Sequence, residues 1–195
     1  MVNLTSEDFP YDFYTKIYQT SSEGHLCVPI CIYIVLETMR YKIKGIPKLT
    51  VSKIAEIIET QDDGTPLGEN IEKINDELIY TVPSLECKIE YLVPKWEIIC
   101  NDINIDNPFK KPVIMAIMQY DTHQTDYIPH TVVLLKADNA NVVYFDPIYG
   151  EMFEPTNKFY NQWLYMDRTC IRFKIGERAQ RILEEFIEKE RREDE

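Results

Sequence analysis

The chain has 195 residues, of which 45% are hydrophobic and 28% charged, a composition typical of one globular domain and not of a disordered chain. Its formal net charge of -12 argues against a general binder of nucleic acid or of anionic membranes, because both need a basic face. The first residues lack the pattern of a signal peptide, and the longest apolar run, Leu26 to Leu36, is too short to span a bilayer. We therefore expect a cytoplasmic protein that contacts neither nucleic acid nor membrane.

The cysteines predict neither a disulfide framework nor a metal site. They are odd in number, scattered, and lie in a chain without an export signal, so reduced thiols are expected: Cys27, Cys31, Cys87, Cys100 and Cys170. The close pair Cys27 and Cys31 has the spacing of successive turns of one helix, and no second pair or suitably spaced histidine completes a zinc site. We expect no metal and no cofactor.

The N-terminal part of the chain predicts helices. Residues 1–20 are aromatic and polar, which favours an irregular arm packed on the body, and a polar loop follows at 21–25. From Val28 to Lys42 the sequence is apolar on nearly all sides at first, so a central buried helix is predicted, with Pro29 tolerated in its first turn. Two further helices are predicted at about 50–59, capped by Thr50 or Ser52, and at about 69–78, separated by a loop at 61–68.

The C-terminal part changes to the period of strands. A short helix around Phe159, Trp163 and Leu164 interrupts them, and from Glu177 onward apolar residues at helical spacing predict a charged amphipathic helix. The predicted strands cover Cys87–Val93, Pro112–Met118, Pro129–Leu135, Val142–Asp146 and Thr169–Ile175. Helices beside an antiparallel sheet make an α+β domain over residues 1–176, followed by the helix of residues 177–195.

Two of these strands bring a histidine and an aspartate together. His130 opens one apolar run, Asp146 closes the next, and the polar turn 138–141 joins them. In an antiparallel hairpin the start of one strand lies beside the end of the other, so we expect these side chains to be neighbours. A carboxylate in that position fixes the tautomer of an imidazole and stabilises its charged form. The plainer interpretation of Asp146 is a turn aspartate before a proline.

Cys27 is the candidate nucleophile. It lies where the central helix should begin, after a polar loop, and a helix N-terminus with an adjacent imidazolium stabilises a thiolate. A cysteine in an apolar helix is more often a packing residue, and Cys31, one turn further, fits that description. His25, near Cys27, and His123, in a polar loop, are weaker candidates for a role in the site.

Several segments resemble the papain-like cysteine peptidases of the bacteriocin-leader-processing (double-glycine) family. They occur in the family's order over about residues 19–175, and Phe159 and Trp163 match its aromatic pair: Cys27–Cys31, Gly64–Leu67, Lys111–Ile114, His130–Val133 and Asp146–Gly150. The resemblance implies a papain-like fold in which an N-terminal helical part packs on a C-terminal antiparallel sheet. It also implies that Cys27 is the nucleophile, His130 the acid–base group and Asp146 the orienting carboxylate.

Two positions differ from the family pattern. The resemblance implies an oxyanion-hole glutamine ahead of the cysteine, and Gln19 is the nearest candidate, further upstream than the usual spacing. Val28 stands where the family has a glycine. The first hypothesis is a thiol hydrolase that cleaves a peptide or isopeptide amide of a peptide or protein substrate. The second is a catalytically degenerate module that binds a peptide or partner protein, and the third is docking of a partner protein through the C-terminal helix.

Overall fold

The structure is a computed structural model that describes residues 24–42, 48–65, 68–75, 88–103, 113–121 and 125–174, and the single positions Arg181, Glu185 and Arg192. The predicted N-terminal arm, with Gln19, lies outside the described residues, as do His123 and nearly all of the predicted C-terminal helix. The division of the chain into residues 1–176 and 177–195 therefore stays a prediction.

The central helix, α1, spans Cys27–Lys42 and follows a 3-10 turn at Gly24–Leu26. This confirms the predicted helix to within one residue and places Cys27 at its first position. Its apolar side chains Ile30, Ile32 and Ile34 are buried, as expected for a helix that is apolar on nearly all sides.

The second predicted helix is shorter than expected, and the third is described only in part. Helix α2 covers Val51–Ile57 and begins at Thr50, whose hydroxyl accepts a hydrogen bond of 3.1 Å from the Lys53 amide. It ends before Glu59, where φ is +57° and the chain leaves the helical conformation. The third predicted helix begins as a 3-10 turn at Glu69–Lys73, and its predicted end lies outside the described residues.

Within the described residues, six antiparallel strands form one sheet in the order β1-β6-β2-β3-β4-β5. All five predicted strands are present, and β5 is an addition. The strands are β1 Lys88–Leu92, β2 Val113–Asp121, β3 Asp126–Ala137, β4 Asn141–Asp146, β5 Gly150–Pro155 and β6 Cys170–Lys174. Two helices complete the described elements: α3, Trp96–Ile103, which the sequence analysis missed, and α4, Thr156–Leu164, which it predicted.

The sheet separates two hydrophobic cores. Alternate residues of β3 point to opposite faces, so Val133 and Leu135 join the core under α1 and α2, while Val132 and Leu134 join the core of α3 and α4. The predicted α+β architecture, with the N-terminal helices packed on an antiparallel sheet, is confirmed. A second helical layer covers the opposite face. None of the helices in the described ranges is long and apolar enough to cross a membrane.

Helix α4 offers a matched test of the second core. Phe159 is fully buried, whereas Leu164 on the same helix is 41% exposed. We expect Phe159→Ala to lower the free energy of unfolding by about 3–5 kcal/mol, because a cavity replaces a packed ring. Leu164→Ala should change it by less than about 0.5 kcal/mol. Urea unfolding of both variants checks this, and similar losses would contradict the described packing.

Candidate active site

Strand β3 carries the histidine, and it begins upstream of Pro129, where the sequence predicted its start. The strand begins at Asp126, because β2 continues to Asp121 and pairs with it as far as the hairpin end. Pro129 accounts for the misplaced boundary: it has no N–H to donate and is usually found at strand ends. His130 therefore lies within a paired strand, opposite Ile117 of β2.

The structure confirms that His130 and Asp146 are neighbours. Nε2 of His130 lies 3.2 Å from Oδ1 of Asp146, and the two side chains are only 2% and 0% exposed. The N–H direction is not aligned with the oxygen, so the contact is an ion pair more than a linear hydrogen bond. Burial opposes the imidazolium, but the contacts with Asp146 and Cys27 outweigh it and raise the pKa of His130 from 6.5 to about 9.

The Asp146 carboxylate has polar partners at both oxygens. Oδ1 accepts hydrogen bonds from the backbone N–H groups of Ile148, at 2.7 Å, and Tyr149, at 3.0 Å. Oδ2 accepts one of 3.1 Å from Nε2 of Gln119. Burial favours the neutral acid, but His130 and the two backbone donors hold the pKa of Asp146 below its usual value. Asp146 is thus both a turn aspartate and the partner of the histidine.

Gln119 is a site residue that the sequence analysis missed. It follows the fully apolar run at the start of β2, and the change from apolar to polar residues was the available signal. Its contact with Asp146, 27 residues further along the chain, depends on how β2, β3 and β4 are arranged in the sheet.

Cys27, at the start of α1, is the third residue of the candidate site. Burial opposes its thiolate, but contacts with the side chains of His130 and Thr131 and with the backbone N–H of Val28 lower its pKa below the usual 9.0. Since Nε2 of the imidazole faces Asp146, Nδ1 is the nitrogen that remains for the thiol. The three residues predicted from the sequence therefore meet at one place.

The other described cysteines differ from Cys27. Cys31 is fully buried and donates a hydrogen bond of 3.3 Å from Sγ to the Thr131 carbonyl. Burial, with Cys27 and Asp146 nearby, raises its pKa well above the usual value. Burial also raises the pKa of Cys100 to about 11. Cys27, Cys31 and Cys100 are free thiols.

Val28 and His25 flank the nucleophile. Val28 is buried in the core that α1 forms with the sheet, so its side chain fills space there. His25 lies half-buried in the 3-10 turn ahead of Cys27. Within the described residues, no cluster of three or more His, Cys, Asp or Glu side chains is arranged to hold a metal ion.

The lowered pKa of Cys27 predicts selective thiol reactivity. At pH 7 iodoacetamide should alkylate Cys27 much faster than Cys100, because only the thiolate is a nucleophile. His130→Ala should remove most of this advantage. Peptide mapping by mass spectrometry measures the rate at each cysteine. Equal rates in the native protein, or an unchanged rate at Cys27 after His130→Ala, would rule out the thiolate–imidazolium pair.

The ion pair also predicts a pH dependence of stability. The lowered pKa of Asp146 gives stability that is present above about pH 3.8 and is lost as pH falls through the folded-state pKa. The raised pKa of His130 gives stability that is full below pH 6.5 and is lost as pH rises through about 9. The destabilisation caused by Asp146→Asn should therefore be greatest between about pH 3.8 and 6.5 and decrease towards pH 9. Urea unfolding across this range measures it, and a pH-independent difference would contradict the pairing.

Comparison with known proteins supports the fold. No protein-family model and no curated protein matches the sequence. A solved structure assigned as a C39-like peptidase from Bacillus anthracis is similar, with a TM-score of 0.54 and 15% identity over 78% of this chain and 88% of that chain. The peptidase domain of Streptococcus ComA, a bifunctional ABC transporter of a quorum-sensing pathway, matches with a TM-score of 0.49 and 12% identity over 74% and 90% of the two chains. The chain therefore has the papain-like α+β fold of a C39-like peptidase, as its resemblance to the leader-processing family led us to expect.

Proposed function

We propose that the protein is a cysteine hydrolase that cleaves a peptide or isopeptide amide. One observation carries the proposal: His130 lies between the Cys27 thiol at the start of α1 and the buried Asp146 carboxylate. A thiol near a helix N-terminus and an imidazole oriented by a carboxylate are the groups that nucleophilic acyl transfer requires. The similarity of the fold to a C39-like peptidase supports the same class of reaction.

In the proposed reaction Cys27 reacts as a thiolate with the carbonyl carbon of the scissile amide, forming a C–S bond. His130, as imidazolium, donates its proton to the leaving nitrogen as the C–N bond breaks, which leaves a thioester and a neutral imidazole. A water molecule then attacks the thioester while His130 accepts its proton, and cleavage of the C–S bond returns the acid and the free thiolate. Asp146 keeps the imidazole oriented throughout and stabilises its charged form.

The developing oxyanion needs hydrogen-bond donors. The backbone N–H of Cys27 at the start of α1 is the proposed first donor, since helix N-termini present free N–H groups to anions. Gln19 is the proposed second donor, by its resemblance to the family's glutamine. Each donor of this kind contributes about 10²- to 10³-fold to the rate.

A peptide-binding module without catalysis is the alternative. Val28 and the upstream position of Gln19 favour it, because a bulky side chain beside the nucleophile would obstruct a substrate and the oxyanion hole would lose its glutamine. The burial of Val28 in the core under α1 weakens the first of these arguments. Docking of a partner protein through residues 177–195 stays a prediction.

Cleavage of a proteome-derived peptide library tests the proposal. We expect new peptide termini in the presence of the native protein, and a loss of about 10⁴-fold or more with Cys27→Ala or His130→Ala. Asp146→Asn should lower the rate by about 10²- to 10⁴-fold, because the imidazole loses the group that orients it. Mass spectrometry of the library identifies the new termini and so the sequence preference.

Cys100→Ala is the matched control, since Cys100 is a half-buried thiol on α3 that packs against the core of α3 and α4. It should leave cleavage unchanged. Cleavage that persists in Cys27→Ala would refute the assignment of the nucleophile. Retention of intact peptides by the native protein and by Cys27→Ala, with no cleavage by either, would establish the binding module instead.

A further inference from the structure

A cavity lies beside the candidate active site, next to Asp146. A cavity of about 580 Å³ opens between α4 and the end of the β2–β3 hairpin. Its walls combine aromatic rings with amide side chains, including Tyr120, Tyr127, Gln119, Gln162 and Tyr165. The three tyrosines are exposed, and the rings of Tyr120 and Tyr127 meet edge to face with centroids 5.3 Å apart.

Gln119 connects this cavity to the candidate active site. It lines the cavity and also donates the hydrogen bond to Oδ2 of Asp146. A primary amide can rotate by half a turn, and the reversed orientation would point its oxygen at the carboxylate. A ligand N–H that binds Oε1 of Gln119 would hold the amide in the orientation that donates to Asp146. Binding of such a ligand would therefore affect the hydrogen bond from Gln119 to the carboxylate.

The lining indicates what kind of ligand fits. Its lysine, Lys158, is paired with Glu154 at 2.5 Å, so it offers no uncompensated charge to an occupant. Within the part of the chain that the structure describes, Oε1 of Gln162 is buried and has no hydrogen-bond partner, which favours a ligand with an N–H donor. Tyrosine side chains bind peptides well, because they give large contact areas at low entropic cost. An uncharged peptide segment fits this lining, because it offers N–H donors and brings no charge.

We propose that this cavity recognises an uncharged segment of the peptide substrate, and that Gln119 is a positioning residue that couples this binding to Asp146. The identity of the occupant rests on the proposed hydrolase function, whereas the link between Gln119 and Asp146 does not.

Peptide binding to the Cys27→Ala protein tests recognition without turnover. The probe is a pool of N-acetylated, C-amidated tetrapeptides that lack ionisable side chains, and retention is measured by ultrafiltration and mass spectrometry. We expect Tyr165→Ala and Gln162→Leu, each added to Cys27→Ala, to weaken retention at least about tenfold. Leu164→Ala is the matched control, because Leu164 is an exposed neighbour on α4 outside the cavity. Equal retention by all of these variants, or no retention by the parent, would overturn the proposal.

The coupling has its own readout. In protein labelled with ¹³C at the aspartate carboxyls, the retained peptides should shift the Asp146 resonance, and Gln119→Leu should abolish this shift. Gln119→Leu should also raise the pKa of Asp146, since the charged carboxylate loses a donor. Tyr120→Phe, which removes a hydroxyl from the next residue, should leave that pKa unchanged.

An unchanged Asp146 pKa in Gln119→Leu, or a peptide-induced shift that survives this substitution, would overturn the coupling. Failure of the proposed function is a separate result. It would appear as an absence of Cys27-dependent cleavage, whatever the cavity binds.

Discussion

Burial of the Asp146 carboxylate is the constraint on which the candidate site depends. An ionised carboxylate without partners costs several kcal/mol when it is removed from water, so its partners must all be in place in the folded state. They come from separate elements: Gln119 from β2, His130 from β3, and the backbone of Ile148 and Tyr149 from the turn before β5. The sheet and its turn must therefore be correctly assembled before the carboxylate can be buried in its ionised form.

The three central groups also depend on one another electrostatically. Burial alone would favour the neutral form of Cys27, His130 and Asp146, and each pKa is shifted towards the charged form by the neighbours. In their charged forms the three groups alternate in sign, from thiolate to imidazolium to carboxylate. Such groups titrate as a unit, so a change at any one of them alters the protonation of the others. The buried Cys31, one turn along the same helix, has burial, Cys27 and Asp146 as the influences on its pKa, which moves in the opposite direction.

Sequence patterns predicted the parts of the site that lie on regular elements. Cys27 begins an apolar helix, and Asp146 ends a strand, so both positions followed from periodicity and turn residues. The contact of Gln119 with Asp146 was not predictable in this way, because it depends on the order of strands in the sheet. Strand β5 was missed because two glutamates and a proline suit an exposed edge and give little apolar signal. Helix α3 was missed although Trp96, Ile99 and Ile103 have helical spacing.

The position of β3 has a consequence for how the site responds to fluctuations. The strand pairs with β2 on one side and β4 on the other, and hydrophobic cores cover both of its faces. Backbone amides in such a strand exchange with solvent mainly through opening of the whole domain, whereas helix ends open at much lower cost. We expect the slowest exchange at Val133 and Leu134, where β3 pairs with both neighbours. His130 pairs with β2 alone, and Cys27, at a helix terminus, lies at the more easily opened border. Local opening would separate the thiol from its histidine while the His130–Asp146 pair stays intact.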